Sequence, residues 1–218
     1  SDVCSSDLII RDDIRDEKTH PIVTGDMIRT RFNNDQAFLN RWGDRVKNGH
    51  LVDDEELTPM VTARYLRGKI DGKVQNVWDG WHRTPKQVIS FNDKFLCEGD
   101  KVTVTYIKAS RKTCRDRNDH RNRIANRTDG GSFNNRWSLY EEHTPGVLDM
   151  FNECKIEVVE IDGDADLDTI ARSVWAHWCR FTGVDKPMPE IQRRQVPAEK
   201  HVENPGASRV PLSMLIAA

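Results

Sequence analysis

The sequence predicts an α/β architecture built on a mostly parallel sheet. Short apolar runs rich in β-branched residues alternate with longer stretches of helical period. Two runs lead straight into Asp-Gly turns, Asp79-Gly80 and Asp162-Gly163, and open α/β sheets bind ligands at such strand ends. The chain has 218 residues, 37% hydrophobic and 31% charged, which suits one substantial domain with a sizeable core and a wet surface.

Taken in order, residues 1–8 (Ser-Asp-Val-Cys-Ser-Ser-Asp-Leu) have no periodicity. They read as a non-native leader of sequencing-adapter type, so the natural protein is expected to extend upstream of about Ile9. Ile10 and Ile14 form an i, i+4 pair in a charged stretch and suit the tail of a helix. His20-Pro21-Ile22-Val23 reads as a strand entering a turn at Thr24-Gly25-Asp26, and a helix with Met27, Ile28 and Phe32 follows. A second helix spans 38–47, with Phe38, Leu39, Trp42 and Val46 on one stripe and Asn48-Gly49 as its stop. Asp53 or Asp54 caps a third helix through Leu57, Met60, Val61, Tyr65 and Leu66.

The second half repeats the alternation. Residues 73–78 read as a strand and 84–96 as a helix that tolerates Pro85 in its first turn. Residues 102–107 are rich in β-branched side chains and read as a strand. A very basic helix spans 111–123, a Gly- and Asn-rich loop 126–135, and a helix 136–153 that breaks near Pro145-Gly146. A strand over 155–161 and a helix over 168–181 complete the domain, 9–183. Residues 184–218 carry Pro187, Pro189, Pro197, Pro205 and Pro211 among many charges and read as a tail.

Composition excludes several classes of protein. The net charge of −2 argues against general polyanion binding. The five cysteines form no C-x-x-C pair, which favours free thiols over a disulfide or zinc framework. With no apolar run of about 18 residues and no signal peptide, a cytoplasmic protein without membrane contact is expected.

Three stretches carry chemistry. Thr24-Gly25-Asp26-Met27-Ile28-Arg29 places free backbone N–H groups, a hydroxyl and a guanidinium at a helix start, a disposition suited to phosphate; an ordinary N-cap with a surface Arg fits equally. Asp79-Gly80-Trp81-His82-Arg83-Thr84-Pro85-Lys86-Gln87 sets Arg83 and Gln87 one helical turn apart, so that both can face one site. Arg115, Arg117, Arg121, Arg123, Arg127 and Arg136 form a basic cluster. Such a run is usually a solvated helix face, yet arginine outnumbers the acids and suits bidentate phosphate contacts.

Together these stretches resemble the adenylate kinases and their nucleoside monophosphate kinase relatives, over about residues 10–177. T-G-D-M-x-R, G-x-L-V (Gly49 to Val52), D-G-x-x-R-T-x-x-Q, R-x-x-x-R (Arg117, Arg121), Arg127-Thr128-Asp129 with Arg136, and the strand-end Asp162-Gly163 carry the likeness. The resemblance implies a three-layer α/β/α phosphate-loop kinase fold with a short lid at about 121–132, no zinc in that lid, and an AMP-binding part at about 24–53. It implies AMP contacts at Thr24, Arg29, Val52, Gly80, Arg83 and Gln87, and ATP contacts at Arg117, Arg121, Asp162 and Gly163. Arg83, Arg121, Arg127 and Arg136 would stabilise the transferring phosphoryl group, and Asp79 would hold Mg²⁺ through water. The expected partners are AMP and ATP, and a monomer is expected.

The sequence departs from that pattern in places. Trp81-His82 stands where the family has Phe-Pro, and Gly130 where it has a second Asp. No G-x-x-x-x-G-K-[ST] occurs. By resemblance the first, central strand of the sheet precedes that loop and is also missing, leaving unpaired edges on both sides of the gap. The chain as written is therefore expected to be inactive and to fold poorly. A UMP/CMP-type kinase, a non-catalytic AMP-binding protein, and nucleic-acid binding through 111–136 are the alternatives. The last is disfavoured, because that stretch lacks interleaved aromatics for base stacking.

Overall fold

A computed structural model describes residues 19–73, 75–124, 132–185 and 187–188. The leader, the stretch containing Ile10 and Ile14, Arg127, the lid residues 125–131 and nearly all of the tail lie outside the described residues.

The described chain is mixed α/β. β1 (Thr19–Val23) runs into α1 (Thr24–Asn34), then α2 (Gln36–Lys47) and α3 (Asp54–Ile70). β2 (Gln75–Asp79) is followed by α4 (Pro85–Phe95), and β3 (Thr103–Lys108) by α5 (Arg111–Ile124). α6 (Ser132–Glu153), β4 (Glu157–Asp162) and α7 (Leu167–Thr182) complete it. The strands do not form one continuous sheet. β1 pairs in parallel with β2, and β3 in parallel with β4, as two separate two-stranded sheets. Each pair is in direct register, Thr19 opposite Gln75 and Thr103 opposite Glu157.

Local sequence explains most boundaries. Asp35 caps α2 by accepting from the Phe38 N–H at 2.9 Å, and Phe38, Trp42 and Val46 bury the expected stripe. Thr84 caps α4 through the Gln87 N–H, with Pro85 in the first turn. Asp166 caps α7, and Gly183 closes it in the left-handed conformation at φ 71°.

Four expectations are corrected. Thr24-Gly25-Asp26 is no separate turn; it is the first turn of α1, entered directly from extended Val23, with Asp26 complementing the helix dipole. Residues 132–135 belong to a helix rather than a loop. α6 then continues without a break through Pro145, because Val147 and Phe151 bury against Val88 of α4. Gly146 permits that approach, since a Cβ there would stand 3.1 Å from Pro85. Leu66, expected in the core stripe of α3, is 51% exposed, while Val61 and Tyr65 are buried.

The core falls into clusters that follow strand alternation. Trp78 of β2 packs with Phe91 and Phe95 of α4. Val104 of β3 joins Val88 of α4 and Val147 of α6. The odd-numbered positions Val77 and Ile107 join Val174 and Trp175 of α7. Among the described residues no helix is long and apolar enough to cross a membrane. Cys97, Cys114, Cys154 and Cys179 are free thiols.

Candidate functional site

The C-terminal ends of β1 and β2 bring the Thr24 and Asp79 stretches together. Gly80 takes φ +75°, which a side chain rarely tolerates, and a Cβ there would lie 3.0 Å from Nη2 of Arg83 and 3.7 Å from Cβ of Thr24. Bare backbone at this position lets α1 and the Arg83 side chain approach each other. Thr24 is 3% exposed, and its hydroxyl has no hydrogen-bond partner. No side chain caps α1, so its first-turn N–H groups are not taken up by a capping residue.

Arg83 is the centre of this cluster. Part of the side chain reaches solvent, but Nε is shut off from it and makes no hydrogen bond. Burial pushes the guanidinium pKa down to about 10; Asp79 at the strand end pulls it back up, and Arg136 lowers it further. Arg136, 5% exposed, comes from the first turns of α6. Two arginines from distant elements therefore line one cavity near the end of β2. Such a pair is electrostatically unfavourable by itself and favourable around an anion.

Gln87 is 2% exposed, and its amide is engaged at both ends. Its Oε1 accepts from the Arg83 N–H at 2.7 Å, and its Nε2 donates to Asp54 at 2.6 Å. The residue therefore fixes the start of α4 against the start of α3. Arg29 lies on α1 and pairs with Asp26 one turn earlier. Val52 is 3% exposed and belongs to the core cluster that includes Ile22 and Trp81.

A second cluster forms at the ends of β3 and β4. Arg117 of α5 donates through Nη1 to the Gly163 carbonyl at 2.8 Å and through Nη2 to the Ala165 carbonyl at 2.9 Å. Gly163 presses on Lys108 and Ala109, where a Cβ would stand 2.8 Å from each. Asp162 accepts from the Asp164 N–H at 2.9 Å. The structure thus brings Arg117, Asp162 and Gly163 together as one turn. The backbone of Arg121 continues α5, while its side chain lies outside the described residues. Arg115 of the same run serves the fold: it lies over the Phe133 ring at 4.8 Å and bonds Asn134. Phe133 in turn packs on Ala109 and Cys114, which ties the start of α6, and so Arg136, to the end of β3.

His82 was not anticipated as a site residue. Its ring packs edge-on to Phe91 at 4.6 Å and near Phe151 at 5.3 Å, and its Nε2 is buried without a partner. Burial lowers its pKa to about 3, so the ring is neutral. The only sequence signal was its place between Trp78, Trp81 and Arg83. Among the described residues no three His, Cys, Asp or Glu side chains converge as in a resident metal centre. No family model matches the chain, and no curated protein matches it.

Proposed function

We propose that the chain carries the acceptor side of a nucleoside monophosphate kinase of adenylate kinase type. A kinase of that type passes a phosphoryl group from Mg-ATP to AMP. The observation that carries the reading is the convergence of Arg83 and Arg136 beside Thr24, Gly80 and Asp79, at the C-terminal ends of parallel strands. Two neighbouring guanidiniums, one buried and one partly buried, are an arrangement that an incoming phosphate stabilises. Thr24 and the start of α1 would border the bound nucleotide, with Arg29 released from Asp26 to reach its phosphate. Gln87 would read the base only by exchanging its bond to Asp54 for one to adenine.

On the donor side, the turn held by Arg117 at Gly163 would border the ATP base, with Asp162 beside it. Arg121 and Arg127 would close over the phosphates. Asp79 is a single carboxylate, which suits Mg²⁺ held mainly by substrate phosphates and water rather than by a protein cage. The ion would supply charge neutralisation on the phosphates. The chain's own part is to position the acceptor and to keep water out. Because the sequence contains no phosphate loop, this chain is expected to bind AMP without turning it over.

Calorimetric titration with AMP tests the reading. Saturable binding that falls at least tenfold in Arg83→Ala supports it, and equal binding by both proteins refutes it. Tighter binding of UMP or CMP would favour the pyrimidine-type alternative.

A further inference from the structure

Resting on the acceptor-site reading above, we infer that Asp54 sets the specificity of that site by holding the Gln87 amide out of it. The chain then takes nucleoside monophosphates by their phosphate, with little regard to the base.

Selection among bases needs a buried polar group that the right base satisfies and a wrong one leaves unpaired. Gln87 does not meet that condition. It is 2% exposed, and both ends of its amide are engaged within the chain. Oε1 accepts from the Arg83 N–H at 2.7 Å, and Nε2 donates to Oδ1 of Asp54 at 2.6 Å. The bond to Asp54 is of the charge-assisted kind, stronger than one between neutral groups. A base offers only a neutral acceptor in exchange, and the carboxylate would lose that donor. The trade is unfavourable whichever base arrives.

Packing keeps this latch closed without a ligand. Asp54 opens α3, and Gln87 lies in the first turn of α4, where its own N–H bonds the Thr84 cap. One turn along each helix, Leu57 and Phe91 belong to the same core cluster, which holds the two helix starts together.

The rest of the wall favours the phosphate. Arg83 and Arg136 line a cavity of about 610 Å³, and every nucleoside monophosphate presents the same oxygens to them. Thr24 and Val52 are each 3% exposed and buried in the fold. Among the described residues, the link between α2 and α3 contributes Gly49 and Leu51 to the cavity wall. Neither side chain carries a hydrogen-bonding group, and apolar contact alone separates similar ligands weakly. On the α6 side the Tyr140 hydroxyl is already paired with that of Tyr106 at 2.7 Å.

The test titrates the 218-residue chain calorimetrically with AMP, GMP, CMP, UMP and adenosine. The four monophosphates should saturate with Kd values within about fivefold of one another, and adenosine, which lacks the phosphate, should not saturate. Asp54→Ala should widen the spread among the four by at least about fivefold, because a freed amide can pair with a base edge. Adding Gln87→Leu should collapse that spread. Asp54→Asn keeps an oxygen for Nε2 and should keep the wild-type ratios. Ratios within one protein cancel any general loss of stability. A wider wild-type spread overturns the inference, since another lining group such as His143 or Thr144 of α6 would then read the base. Unchanged ratios in Asp54→Ala, or adenosine binding as tightly as AMP, overturn it too. The first two of these results leave the acceptor-site reading standing. That reading fails, and this inference with it, if no monophosphate saturates or if Arg83→Ala binds all four as well as the wild type does.

Discussion

Replacing Arg83 with methionine should strengthen the fold while destroying the site. The unfolded chain carries the Arg83 charge freely, whereas burial in the folded protein pulls its pKa down by more than two pH units to about 10. At about 1.36 kcal/mol per pH unit, that difference amounts to about 3 kcal/mol of penalty on the charged form. The sign follows from the direction. A cationic group with a depressed folded pKa destabilises the fold at every pH well below 10. The penalty fades only as pH rises above about 10 toward the ordinary guanidinium range. Arg83→Met keeps a long unbranched side chain and removes the charge, so Arg136 loses its repulsive neighbour. Lost attraction to Asp79 and lost packing offset part of the gain. A net stabilisation of about 1–3 kcal/mol at pH 7.5 is therefore expected from urea unfolding without ligand. Millimolar AMP should stabilise the wild type by mass action and leave the variant unchanged. A variant destabilised by more than about 1 kcal/mol, or one that AMP stabilises as well as it does the wild type, refutes the picture of a guanidinium held in strain for an anion.

Other perturbations probe the same framework. His82, held neutral with a pKa of about 3 against an ordinary 6.5, leaves the unfolded chain to take up a proton first as pH falls. Stability should drop from about pH 6.5 downward, and His82→Phe should remove about 1–2 kcal/mol of the loss between pH 7 and pH 5 in parallel urea titrations. His20 and His177, whose pKa values burial also lowers, act with the same sign and add to the slope. Gly80→Ala forces a side chain into a left-handed backbone and against Arg83, so it should cost about 1–2 kcal/mol and weaken AMP binding together. Arg117→Lys cannot bridge the Gly163 and Ala165 carbonyls at once; a loss of about 1–3 kcal/mol with faster hydrogen exchange confined to the β4–α7 turn is expected. Unchanged exchange there would show that the two bonds do not hold the turn.

Local sequence determined the elements. Periodicity located α2 through Phe38, Trp42 and Val46, and capping residues such as Asp35, Thr84 and Asp166 fixed helix starts, because these signals act within a few residues. Thr24, Gly80 and Arg83 were also legible, since a glycine with positive φ and an arginine one turn on leave a mark in the motif itself. What the sequence could not give depends on contacts across long separations. α6 runs through Pro145 because α4 packs on it, and the burial of Gln87 and its bond to Asp54 are set by the approach of α3 to α4. His82 becomes a neutral ring because Phe91 and Phe151 close around it. The arginine run divides by tertiary position alone: Arg136 faces Arg83, Arg117 clamps a turn, and Arg115 lies on Phe133. Sheet order belongs to the same class. Each strand's propensity is local, but which edges pair and which face an open groove is decided only when the chain is folded, because a backbone hydrogen bond between strands carries no memory of sequence distance.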